Sequence, residues 1–388
     1  MELPSYFTDF LANIRPTDGQ RNKMKDENLK LRELLSADDE LSPLIVSTFI
    51  QGSYRRLTAT RPQGMQQCDV DVIVATTMHE GDYTPTQALE KFRPFLKKHY
   101  SDKFRIQGRS WGIQVDDEVT LDLVPTSAPS EAERNVWEGI KAASWDFPAE
   151  PEVVTANSYQ DLLLQKVPGM VEKLVRTEAD PDWKLQPLRI PDRKAEVWEA
   201  THPLEQIRWT WAKSKSTKGH FVNVVKAIKW WRKLRVPKPK YPRSYPLEHM
   251  IGDCCPDGID SVAEGVTLAL ENMEATFRPY VGAKAVPQLA DRGVPTHNVL
   301  GRVTIEDFAG FLDHVKAAAE TARRALNAGT VKAAADGWRE LFGDEFPEAP
   351  DDDGGGDSDG GDGGKAAAVG GFTPRTRNTS ISEGRFAT

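Results

Sequence analysis

The sequence predicts an α/β protein of two lobes, the first built on a mixed sheet and the second mainly helical, followed by a disordered tail. Three observations carry that expectation. Short β-branched or extended runs at 44–50, 69–75 and between 104 and 124 alternate with helical patterns, as in a mixed sheet covered by helices. Beyond residue 200 amphipathic helical spacing dominates. From Pro347 the chain turns Asp/Gly-rich and then Gly/Ala/Ser/Thr-rich to Thr388, with too little apolar content to offset the entropy of ordering. A length of 388 residues suffices for two cores or for one large α/β unit. The two-lobed division is adopted, with lobes at 1–200 and 201–347 and a tail at 348–388.

Tyr6–Ile14 and Gly19–Leu35 have helical spacing, with Pro16-Thr17-Asp18 supplying a break and an N-cap. Leu44–Ile50 is a strand ending at Gln51-Gly52-Ser53, Tyr54–Thr60 a helical turn or loop, and Asp69–Ala75 a second strand. Thr86–Tyr100 reads as one amphipathic helix, with Leu89, Phe92, Phe95 and Leu96 inward. Phe104–Arg109, Trp111–Val115 and Val119–Val124 form a meander, the last two joined by the turn Asp116-Asp117-Glu118. Ser127–Lys194 is uneven in period and is read as loops and short helices. Pro203–Lys215 and His220–Arg235 are helical. In the second, Val224, Ala227, Ile228 and Trp231 form the buried stripe, while Lys226, Lys229, Arg232, Lys233 and Arg235 form a solvated basic face. Pro237, Pro239 and Pro242 make a rigid linker into a helix at Leu247–Ile251. Gly258–Met273 and Ile305–Asn327 complete the helices, the latter entered through Thr304 and Asp307 in the manner of a capping box.

The net charge is −8, but Glu348–Gly364 holds seven acids and no base, so the remainder carries about −1. The predicted folded part is nearly neutral, which disfavours a strongly nucleic-acid-binding protein while allowing local basic patches. No apolar run spans a membrane, and the N-terminal segment lacks a basic leader and an apolar core, so secretion is not expected. Three cysteines, Cys68, Cys254 and Cys255, suit a reducing cytoplasm.

The chemistry concentrates in Phe49–Val74. In a strand, side chains alternate faces, so Asp69 and Asp71 share one face while Val70 and Val72 pack on the other. Two adjacent carboxylates repel and raise each other's pKa unless a cation lies between them. Asp122, a lone acid in the apolar run Leu121–Val124, is a third carboxylate that needs a partner or a metal, and backbone amides are the alternative partner. Hard oxygen donors suit Mg²⁺ arriving with substrate phosphates, for which Gly52 and Ser53 offer backbone N–H groups. Three carboxylates able to hold two such ions suit in-line displacement at phosphorus, that is, nucleotidyl transfer.

The order GSYRRLTAT, DVDVIV and LDLVP resembles the polymerase-β-like nucleotidyltransferases. Within them it is similar to the branch that contains oligoadenylate synthases, cyclic GMP-AMP synthase and the bacterial cyclic-oligonucleotide synthases of anti-phage signalling. VVKAIKWWRKL, SYPLEHM, HNVLGRVTIEDFAGFLDHV and WRELFGDEFP extend the likeness to about Pro347. The resemblance implies a polymerase-β-like catalytic lobe and a helical lobe closing on the donor nucleotide. It further implies synthesis of a cyclic di- or trinucleotide messenger from ATP and other nucleoside triphosphates with two Mg²⁺ or Mn²⁺ ions, and a downstream effector that receives the product. By position, Asp69, Asp71 and Asp122 match the metal-binding triad, with Asp122 placed to activate the acceptor hydroxyl. Gly52 and Ser53 match the triphosphate grip, Lys229 a lysine reaching the triphosphate, and Ser244 and Tyr245 the residues that touch phosphate and stack on the donor base. His249, Cys254 and Cys255 lack a fourth spaced ligand and are read as core or surface residues, which disfavours control by DNA. The last residues, Gly384–Thr388, are a candidate handle for a partner resembling ubiquitin-activating enzymes, or merely a solubilising end. The alternatives are a linear oligonucleotide synthase, a transferase acting on protein or RNA, and a non-catalytic nucleotide sensor, against which the intact triad argues.

Overall fold

The Asp-x-Asp strand lies inside the sheet of the folded protein, between an edge strand and the central strand that carries Asp122. The structure, a computed structural model, describes residues 1–64, 66–127, 187–236 and 242–350. The strands β1 (Ile45–Gln51), β2 (Cys68–Thr76), β3 (Phe104–Ile106), β4 (Trp111–Gln114) and β5 (Val119–Ser127) lie in the order β1-β2-β5-β4-β3. β2 and β5 run parallel and the other neighbours antiparallel, so the sheet is mixed. β6 (Leu188–Asp192) joins the end of β5, and β7 (Val197–Thr201) pairs with β6.

Helix α1 (Pro4–Asn13) is followed by α2 (Asp18–Ser36), whose N-cap Thr17 forms the full capping box with Gln20. α2 lays Met24, Leu31 and Leu35 into the core beneath the sheet, which also holds Val70, Val72, Leu121 and Leu123. α1 goes elsewhere. Phe7 and Phe10 stack in an aromatic cluster with Trp338, Phe342 and Phe346, so this helix, expected within 1–200, buries its apolar face in the core of the helical lobe. The short α3 (Gly52–Arg55) follows β1 directly. The expected helix 86–100 is two, α4 (Pro85–Glu90) and α5 (Arg93–Tyr100). Pro94 has no N–H to continue the ladder and its ring clashes with the carbonyl a turn earlier, so it opens a new helix instead.

The helical lobe comprises α6 (Pro203–Ser216), α7 (Phe221–Arg235), α8 (Ser244–Cys254), α9 (Val262–Gly282), α10 (Ile305–Leu326) and α11 (Val331–Phe342). Thr304 caps α10 by accepting from Asp307 N–H, without the reciprocal bond of a capping box. α7 departs most from expectation. Of its five basic residues only Arg235 is exposed; Lys233 is half-buried, and Lys226, Lys229 and Arg232 are respectively 1%, 4% and 7% exposed, so the expected solvated face holds only at the helix end. The helix is buried on nearly all sides, with α9 and α11 against it and the residues after α3 supplying neutral acceptors, the Thr58 carbonyl oxygen for Lys229 and the Thr60 hydroxyl for Lys233. His249, Cys254 and Cys255 are likewise buried in this lobe. Met1–Pro350 form one compact unit. The expected disordered tail and its C-terminal handle, the rigid linker at 237–241 and most of the segment 127–194 lie outside the described residues, while the end of that segment, read as loops and short helices, is the strand β6 at Leu188–Asp192. No described helix is long and apolar enough to cross a membrane.

Candidate active site

Parallel pairing sets Asp71 beside Asp122 in register, and Asp69 two residues earlier lies opposite Thr120 on the same face. The three carboxylates each offer an oxygen, and these lie within 4.8 Å of one another. Beneath them Val70, Val72, Leu121 and Leu123 are fully buried, which fixes the register, because a slip of one residue would send the acids into the core.

The neighbours orient each acid. Gln107 donates its amide N–H to Asp122 Oδ1 at 2.8 Å, and the Thr120 hydroxyl lies 3.2 Å from Asp69 Oδ1. Gly52 follows β1, where Gln51 pairs with Asp71. Its φ is +79°, and a Cβ there would lie 1.9 Å from Asp71 Oδ2. Only glycine satisfies both constraints. Loss of water on burial, with Asp71's charge adding to it, raises Asp69 to about 7. Burial and then the charges of Asp69 and Asp71 push Asp122 up to about 8. Asp71 is also raised, burial outweighing the attraction of Arg56. A dense set of hard oxygen donors that resists full ionisation fits a divalent cation.

Two clefts meet at Asp122. The first, of about 430 Å³, is lined by Gly52, Ser53, Asp71 and Asp122 from the sheet side and by Ser244, Tyr245 and Glu248 from α8. The second, of about 690 Å³, contains Asp69 and Asp122 with Arg105 and Arg243. The sequence-predicted residues Asp69, Asp71, Asp122, Gly52, Ser53, Ser244 and Tyr245 thus converge on adjoining clefts. Lys229 does not reach the first cleft's wall; its ammonium is bonded behind it to Glu248 Oε1 and the Thr58 carbonyl oxygen, each at 2.8 Å. Burial lowers its pKa, which Glu248 partly restores.

Tyr245 is held firmly. Gln206 donates to its hydroxyl, which in turn donates to Asp291, and the Arg56 guanidinium lies 5.8 Å from the ring centroid. Sequence reasoning missed Arg56, Gln107, Gln206, Glu248 and Asp291. Glu248 carried one legible signal, an acid on the expected helix Leu247–Ile251 three residues after Tyr245. The others carried none.

Residues 1–159 match the Second Messenger Oligonucleotide or Dinucleotide Synthetase domain. The chain is 40% identical over 360 residues to a cyclic AMP-AMP-GMP synthase of Enterobacter hormaechei subsp. hoffmannii, covering 89% of this chain and 92% of that protein. It is 39% identical, with the same coverage of both chains, to a probable cyclic AMP-AMP-GMP nucleotide synthase of Salmonella paratyphi B. The fold is similar to that of the Bradyrhizobium diazoefficiens CD-NTase CdnG in complex with GTP, with a TM-score of 0.63 at 13% identity, over 88% of this chain and 94% of that one.

Proposed function

The chain belongs to the Second Messenger Oligonucleotide or Dinucleotide Synthetase family, and from that membership we propose that it joins nucleoside triphosphates into a cyclic trinucleotide of two adenylates and one guanylate, releasing pyrophosphate, as a signal in anti-phage defence. The observation that carries this reading is the meeting of three carboxylates with Gly52, Ser53 and the α8 residues Ser244 and Tyr245 around adjoining clefts.

Divalent ions, Mg²⁺ or Mn²⁺, when held by Asp69, Asp71 and Asp122, would supply charge neutralisation at the triphosphate and a lower pKa for the acceptor hydroxyl. Asp122, central between the two clefts, takes the acceptor proton. Gly52 and Ser53 bring backbone close to the donor phosphates, Ser244 bonds a phosphate, and Tyr245 presents a ring for the donor base. Lys229 contributes to the same grip through Glu248. The product is read by a downstream effector, and the C-terminal Thr388 is the residue on which a partner resembling ubiquitin-activating enzymes would act. The cytoplasm, where nucleoside triphosphates and reduced thiols coexist, is the compartment this chemistry suits.

The test is an omission series with purified protein, Mg²⁺ and the four labelled triphosphates. A phosphatase-resistant product should require ATP and GTP together and neither pyrimidine. Product formed from ATP alone would overturn the mixed composition, and a phosphatase-sensitive product would overturn cyclisation.

A further inference from the structure

Glu248 is fully buried and ionised, and it gathers donors from two other segments. Its Oε2 accepts from Arg56 Nε at 3.2 Å and lies 3.1 Å from Arg56 Nη2. Its Oε1 accepts from Lys229 Nζ at 2.8 Å and from the Thr58 hydroxyl at 3.1 Å. Burial alone would raise this carboxyl, but Arg56, Lys229 and the hydrogen bonds hold it at about 2.

The backbone gives this cluster its direction. Arg56 N–H bonds the Gly52 carbonyl oxygen at 3.2 Å and Thr58 N–H bonds that of Ser53 at 2.9 Å. Arg56 and Thr58, two of the three residues whose side chains end on Glu248, are therefore bonded back to the two residues of the phosphate grip. Glu248 itself lies one turn beyond Ser244 and Tyr245 on α8. One carboxylate ties the grip on the sheet side to the stacking platform on the helical side. Two cations on one anion leave a net positive charge, and of the two cations Arg56 lines the cleft beside Glu248 while Lys229 lies behind it. A buried ion cluster of this kind adds little stability over apolar side chains of equal volume, but it fixes geometry.

We propose that Glu248 is a positioning residue for the donor triphosphate, setting the separation of Gly52-Ser53 from Ser244-Tyr245 and holding Arg56 against the cleft. This rests on the donor-site reading given above. Replacing Glu248 by glutamine keeps the shape but removes the charge and turns one of the two acceptors, the one towards Arg56 or the one towards Lys229, into a donor, and the grip shifts.

The experiment compares wild type and Glu248→Gln for equilibrium binding of a non-hydrolysable ATP analogue and for KM and kcat in pyrophosphate release, well below both melting temperatures. The inference expects Kd and KM to rise by about tenfold or more, with kcat changed by less than about threefold. A variant that melts earlier yet binds and turns over with unchanged Kd and KM has lost only stability, and that result overturns the inference while leaving the donor site intact. Wild type that binds no analogue overturns both. Should Glu248→Gln not fold, Thr58→Val removes one hydroxyl bond and no charge, and an increase of about threefold in Kd is expected; an unchanged Kd overturns the inference.

Discussion

Replacing Gly52 by alanine strikes the closest approach in the site. The new Cβ would stand 1.9 Å from Asp71 Oδ2 and 3.0 Å from its Cγ, whereas real Cβ contacts essentially never fall under 3.0 Å. The carboxylate must therefore retreat by about an ångström, and a displacement of that size at a reacting centre costs on the order of 10²-fold in rate. The backbone adds a smaller penalty. At φ +79° an alanine lies in the left-handed region, which costs roughly 1–2 kcal/mol. Gly52→Ala should thus lower kcat for pyrophosphate release by about 10²-fold and weaken Mg²⁺ binding, while thermal unfolding shows only a modest fall. Continuous pyrophosphate detection with and without excess Mg²⁺ reads the first two effects, and scanning fluorimetry the third. Turnover within about threefold of wild type would mean that Asp71 has room to rotate and that its observed position is not the productive one.

Three further outcomes follow from the same geometry. Asp69→Asn with Asp71→Asn should abolish product while leaving the metal-free protein folded and no less stable at pH 8, because it removes like charges; a large fall in melting temperature with retained specific activity would make the pair structural. Asp69 at about 7 and Asp122 at about 8 hold protons in the folded protein at pH values where the unfolded chain has lost them, so metal-free stability should fall as pH rises from about 5 to about 8.5. By the same linkage Mg²⁺ binding near neutrality should expel protons, read by calorimetry in buffers of different ionisation enthalpy, and identical heats would contradict the raised values. Tyr245→Ala should raise KM for the donor by the worth of one stacked base, about 1–3 kcal/mol. Tyr245→Phe, which keeps the ring and loses only the bonds with Gln206 and Asp291, should cost less, and equal losses would make the hydroxyl network, not the ring, the binding element.

The carboxylates were legible because strand geometry is local. Asp-x-Asp in a β-branched run places two acids on one face, and an acid in Leu121–Val124 has no apolar reason to be there. Gly52 was legible as the end of a strand with backbone N–H to offer a phosphate, but not its contact with Asp71, which depends on the pairing of β1 with β2. Lys229 and its basic neighbours on α7 were misread for a related reason. Helical periodicity sorts residues by polarity, and it does not record that Glu248 and the Thr58 carbonyl oxygen come from other segments to compensate a buried ammonium. β7 escaped because none of its residues is buried, so no strong inside-outside contrast marked it. Aromatic residues on α1 show that the helix has an apolar face but not which core receives it.

In the proposed reaction the two clefts that share Asp122 hold the nucleotides whose ring is closed. Intact-mass and nuclease analysis of the product made from ATP and GTP with Mg²⁺ tests it most directly. The expected species carries two adenylates and one guanylate, has no terminal phosphate, and is one water lighter than the linear trimer 5′-monophosphate, pyrophosphate having left at ring closure. A product retaining a 5′-triphosphate after the reaction has run to completion would contradict it.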